Sequence, residues 1–128
     1  MDTALWIAAG LLAVVALSGG ATKAFVAKER LARFPGGEWT GSAATGFVKG
    51  LGVLEILAAA GLILPAVAGV APVLVPVTAA CWVLLMIGAM ITHVRYGGVS
   101  AVLLVNLFYL GLAVFVAAGR FGPHPFTA

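Results

Sequence analysis

The stretch that decides the fold is Gly46–Leu64, GFVKGLGVLEILAAAGLIL, a nearly unbroken apolar run with a glutamate, Glu55, close to its middle. About 20 residues at roughly 1.5 Å each match the hydrocarbon thickness of a bilayer, so the run reads as a membrane-spanning helix. A carboxylate at that depth costs about 2.5–3.5 kcal/mol even on translocon-insertion scales, so Glu55 has to face protein or water instead of lipid. Helical spacing puts Val48, Gly52, Ala59 and Leu62 on its face, and the small residues among them let neighbouring helices approach and shield it.

The rest of the composition agrees with a membrane setting. Hydrophobic residues make up 63% of the 128 and charged residues 9%, against about 45–50% and 25% in soluble domains. The net charge of +3 comes with no basic stripe and no aromatic-basic interleaving, which excludes a nucleic-acid partner. Basic residues flanking apolar runs instead act as topology signals. Cys81 stands alone, so there is no internal disulfide and no paired-cysteine redox centre, and its reading is a packing residue. The N-terminal apolar run carries no basic flank ahead of it and continues through Lys23, so it reads as an uncleaved span.

Working outward gives an all-α integral membrane four-transmembrane-helix bundle, one membrane domain over residues 1–128 with spans near 3–27, 45–64, 72–94 and 99–118. The first span contains Gly19 and Gly20, and Lys23 lies about one turn inside its end. Lys23 has two readings: it snorkels to the headgroups, or it turns inward as a partner for Glu55. The segment 28–45 is the main polar connection, broken by Pro35, Gly36 and Gly37, and reads either as an interfacial linker carrying Phe34 and Trp39 or as the cover of a pocket. The second span stops at Pro65, and Pro72 and Pro76 open the third, where a missing N–H is harmless. Gly88, sharing a face with Cys81, Leu85 and Thr92, permits close helix approach; His93, Arg95 and Tyr96 precede a Gly97-Gly98 turn. In the fourth span Asn106 shares a face with Val102, Tyr109 and Ala113 and is expected to point inward and bond across helices. The tail after Ala118 reads as an irregular interfacial end with Arg120 as its basic residue.

Four spans place both termini on one side. Lys23, Lys28, Arg30, Arg33, Lys49 and Arg95 fall at the other side and Arg120 alone at the terminal side, so the positive-inside bias puts the loops in the cytoplasm and both termini outside. Lys23, Glu55, His93 and Asn106 then all lie in the cytoplasmic half, with the other half nearly devoid of polar groups. Such one-sided polarity describes a pocket open to one side, not a conducting pore. No metal-ligand spacing and no phosphate-binding loop occurs, so no metal site is assigned.

Ser18-Gly-Gly-Ala-Thr-Lys23 closing the first span, Gly52-Val-Leu-Glu55 and Gly61-Leu-Ile-Leu-Pro65 in the second, His93 and Asn106 together resemble the DoxX-like family of small four-helix membrane proteins. The resemblance covers nearly the whole chain and implies a bacterial inner-membrane bundle. The family name derives from subunits linked to thiosulfate and quinone oxidation, and similar proteins are associated with redox-stress complexes. Lone Cys81 means that the paired-cysteine chemistry of related small bundles does not carry over, so redox work would run through a bound quinone or a soluble oxidoreductase partner. The primary expectation is a binding or accessory subunit that holds a lipophilic small molecule such as a quinone, with Lys23, Asn106, Tyr109 and His93 as substrate-binding contacts. The alternative is a membrane enzyme with Glu55 as the catalytic general acid or base in isomerisation, cyclisation or epoxide opening. A homo-oligomer joined through Gly46-x-x-x-Gly50 is the third reading.

Overall fold

A carboxylate in an apolar helix obliges its neighbours to close around it, and the fold is easiest to follow from that helix. The computed structural model describes residues 1–34, 37–97 and 101–126 and is all-α. In chain order, α1 (Asp2–Phe25) is followed by the one-turn α2 (Lys28–Leu31) and a 3-10 turn (Glu38–Gly41), then α3 (Thr45–Ala68), α4 (Leu74–Gly97) and α5 (Ala101–Phe121). The four long helices are each long and apolar enough to cross a membrane, so the chain is a multi-pass membrane protein. Leu17, Leu57, Ile91 and Leu104 point outward, where lipid takes the place of water as their surroundings. The expected breaks at Pro35 and Gly36, the Gly98 turn and the start of the fourth span at Val99 lie outside the described residues.

α1 packs mainly on α3 and α4 mainly on α5, while smaller α1–α5 and α3–α4 contacts close the ring. The α1–α3 crossing is set by two glycines. A Cβ on Gly20 would fall 2.6 Å from the Gly52 carbonyl oxygen, and one on Gly52 would fall 2.6 Å from the Ala24 nitrogen. Only glycine at both positions permits this backbone approach. The terminal half of the bundle is filled with small and branched residues, including Leu12, Ala16, Leu62, Val75, Ala79 and Val116.

Three local expectations change. α3 does not end at Pro65 but continues to Ala68 and stops at Gly69, whose φ of 68° lies in the left-handed region. Pro65 sits in the last turn, where its missing N–H removes one bond only, and Val70 N–H donates to the Pro65 carbonyl to complete the cap. Gly88 is not a helix-contact glycine: a Cβ there would meet nothing within 4 Å. Cys81 is exposed on the outer surface of α4 and takes no part in core packing.

The tail is also more ordered than its composition suggests. Phe126 returns to pack edge-on against Trp6 at 5.6 Å and lies 3.9 Å from the Arg120 guanidinium carbon. Arg120, only 4% exposed, donates to Asp2 Oδ1 at 2.6 Å and to the His124 carbonyl at 3.1 Å. The terminal half therefore does contain a buried charge, Arg120, contrary to the expectation that it is nearly apolar. Aperiodic residues fold back over the charge and replace the water it would otherwise have.

Candidate functional site

The close α1–α3 crossing brings Lys23 to Glu55. Lys23 Nζ lies 3.0 Å from Glu55 Oε2 and 3.3 Å from Oε1, with Glu55 5% exposed and Lys23 half-buried. Lys23 thus turns inward instead of snorkelling away. Gly19 makes the room, since a Cβ there would sit 3.3 Å from Glu55 Oε1. Lys49, the other lysine near this crossing, donates to the Ala24 carbonyl at 3.0 Å.

The pair borders a cavity of about 690 Å³ at the loop end of the bundle. Lys23, Glu55, His93, Asn106 and Tyr109 all line it, from four different helices. Trp82, 2% exposed, completes the wall, and its indole N–H is buried with no hydrogen-bond partner among the described residues. The Asn106 amide likewise has no partner among them, so the expected bond across helices is not formed. Its side chain faces the cavity, beyond reach of a complementary group. Lys23 has three N–H donors and, among the described residues, engages the Glu55 carboxylate alone. Among the described residues, the unpartnered groups around the cavity thus include the Trp82 N–H and the Asn106 amide, with Glu55 Oε2 held only by the ion pair to Lys23, in a mainly apolar wall of Val15, Leu51, Leu85 and Met86 that also contains Ser18, Thr22 and Thr92.

The segment between α1 and α3 covers the end of this cavity. Leu31, Phe34, Trp39 and Thr40 all line it, which favours the cover reading of that loop over a simple linker. Buried Thr40 donates to the Gly37 carbonyl at 2.7 Å and lies 3.1 Å from the Lys28 carbonyl, while Lys28 Nζ donates to the Ala43 carbonyl at 2.7 Å. Ser42 Oγ and the Tyr96 hydroxyl, 3.0 Å apart, join the loop to α4. A second hollow of about 480 Å³ lies beside it, lined by Trp39, Ser42, Thr92, Arg95 and Tyr96.

Trp82 and Thr40 were not singled out by sequence, and Gly19 was singled out only together with Gly20. Trp82 carried a usable signal, since it stands three helical turns before His93 and so shares its face. Gly19 carried none that separates it from Gly20. With this geometry in hand, comparison with known proteins adds one finding: the model of the DoxX-like family matches residues 7–116. No curated protein and no solved structure is significantly similar to the chain.

Proposed function

Since the chain belongs to the DoxX-like family, we propose that it is a membrane protein that binds a lipophilic small molecule, polar end inward, in the cavity beside Glu55 and Lys23. One observation carries this reading. Within a largely apolar wall, the buried Trp82 indole N–H and the Asn106 amide have no hydrogen-bond partner among the described residues, and the Lys23 ammonium lies beside them. Buried donors without partners are unfavourable by about 1–3 kcal/mol each, a penalty that a carbonyl-bearing ligand relieves.

A quinone fits this donor set, because its head is flat, apolar on both faces and edged by carbonyl acceptors. Asn106, Trp82 and Lys23 would hold the carbonyls, with Tyr109 and His93 bordering the ring. When bound, such a group supplies two-electron redox chemistry, which a soluble oxidoreductase docked at the basic loop end would use. Glu55 serves here as the anchor that holds the Lys23 ammonium in the cavity. Both of its oxygens lie within 3.3 Å of that ammonium, an arrangement that favours anchoring over the acid-base role of the enzyme reading. The family resemblance implies a bacterial inner-membrane location, and the positive-inside bias supports both termini outside with the covered end of the cavity in the cytoplasm.

Native mass spectrometry of gently solubilised protein, with identification of copurifying lipophiles, tests the reading. Wild type is expected to carry a discrete carbonyl-bearing lipophile that Glu55→Gln loses while remaining folded. Bulk phospholipid alone on both proteins would refute it.

A further inference from the structure

The cavity has a side as well as an end. α3 and α4 are antiparallel and meet closely at their hairpin, where a Cβ on Gly61 would fall 2.5 Å from Thr78 Oγ1. Counting equal steps away from that contact pairs Leu54 with Leu85, Leu51 with Gly88 and Phe47 with Thr92. Leu51 and Gly88 lie roughly 15 Å from the crossing at 1.5 Å per residue. At that level α4 leaves open space, since a Cβ on Gly88 would meet nothing within 4 Å. Phe47 and Leu84 line the cavity and are nonetheless 61% and 71% exposed on the outer surface. A side chain that belongs to both surfaces marks a place where the wall is open.

The opposite side differs in chemistry. Between α1 and α5 the cavity is bordered by Ser18, Thr22, Asn106 and Tyr109, and Ser18 and Thr22 are exposed. The α3–α4 side instead offers Phe47, Leu51, Leu84 and Gly88. Apolar chains passing between cavity and lipid are matched by the second set. Polar heads are matched by the first set and by the Glu55–Lys23 pair.

We propose that the slot between α3 and α4 is a lateral window to the bilayer, through which the ligand enters and in which its apolar tail stays. Phe47 and Leu51 form one rail, Leu84 and Gly88 the other. The inference rests on the binding function proposed above and deepens it. The ligand class becomes a bilayer-dissolved amphiphile with a hydrogen-bond-accepting head and an unbranched or isoprenoid tail, not a compact molecule admitted from the aqueous end. Gly88 sets the width of the window by leaving its middle unfilled.

Two probes separate tail from head: a decyl-tailed dimethoxymethylbenzoquinone and the same ring without the tail, titrated onto the full chain in lipid nanodiscs. Gly88→Phe, which fills the window beside Leu51, is expected to weaken the tailed probe about tenfold while leaving the tail-less ring unchanged. A tailed probe with a diazirine at its terminal carbon is expected to label Phe47, Leu51 and Leu84 in wild type. Equal weakening of both probes, or labelling confined to Ser18, Thr22 and Tyr109, overturns the window while the cavity stands. If neither probe binds wild type, the proposed function falls and the window with it.

Discussion

The Lys23–Glu55 pair makes an asymmetric prediction. At 3.0 Å and an effective dielectric constant near 20, the attraction between the two charges is roughly 5 kcal/mol. Much of that is offset by the desolvation of both groups. Removing the lysine leaves Glu55, 5% exposed, with no other cation paired to it among the described residues, whereas removing the glutamate leaves a half-buried lysine whose long stem can carry its ammonium toward the loop end. Lys23→Met is therefore expected to destabilise by about 3 kcal/mol and Glu55→Gln by only about 1 kcal/mol. The double variant, which buries no charge at all, should lose about 2 kcal/mol less than the two singles together. The assay is reversible unfolding in mixed detergent micelles, followed by circular dichroism for wild type and the three variants. Additive losses would show that the charges are not coupled. A larger loss for Glu55→Gln would show that Lys23, not Glu55, is the trapped charge, and either result refutes the burial argument.

Four further outcomes follow from the same structure. Gly20→Ala and Gly52→Ala should each destabilise by about 1–3 kcal/mol, because the added Cβ meets backbone; Gly46→Ala and Gly50→Ala, with open space around them, should be neutral or slightly stabilising, as thermal unfolding will report. Trp82→Phe removes an unpartnered N–H but also part of a buried ring, so the ligand-free protein should lose no more than about 1 kcal/mol, while the decyl-tailed quinone should bind several-fold more weakly, in keeping with about 1 kcal/mol for a lost hydrogen bond. At the terminal end, Asp2→Asn should lose less than about 1 kcal/mol because Asp2 is exposed, whereas Arg120→Gln should lose about 2 kcal/mol in the same unfolding assay, since Phe126 then covers a group that no longer carries a cation. Reporter fusions at both ends of the chain should be active only outside the inner membrane, and cytoplasmic activity at either end would reverse the assigned orientation.

The bundle was legible because bilayer thickness fixes the length of an apolar helix, and each of the long helices exceeds it. Glu55 was legible for a related reason: a charge inside such a run stands out against everything around it. What the sequence could not resolve was the use of its 17 glycines. Gly46 and Gly50 have the spacing of a helix-contact motif and face open space, while Gly20 and Gly52, from different spans, bring two helix backbones together. Spacing within one helix says nothing about which face the partner helix crosses. Arg120 was read as a topology charge because the tail that buries it has no periodicity, and burial by a returning aperiodic segment leaves no repeating signal. Asn106 was legible as inward-facing, but whether an inward amide meets another helix or a cavity depends on how far the helices splay, which no local pattern records.

That splay has its own cause. Gly20 and Gly52 draw α1 against α3 near the loop end, and the crossing is what lets Lys23 reach Glu55. α4 meets α3 toward the opposite end, beside Gly61 and Thr78, and the proposed window lies beyond that contact. A helix fixed close to its partner at one end only has to leave space at the other unless large side chains fill it, and at the level of that space α4 carries Gly88. The ion pair and the cavity are thus two results of one arrangement: glycine where α1 and α3 touch brings the charges together, and glycine where α3 and α4 part leaves the room beside them. Separating α1 from α3 with alanine at Gly52 should therefore change ligand affinity as well as stability, because Lys23 would be displaced from the edge of the cavity. Loss of stability with unchanged binding of the tailed quinone would show that the crossing and the cavity are independent.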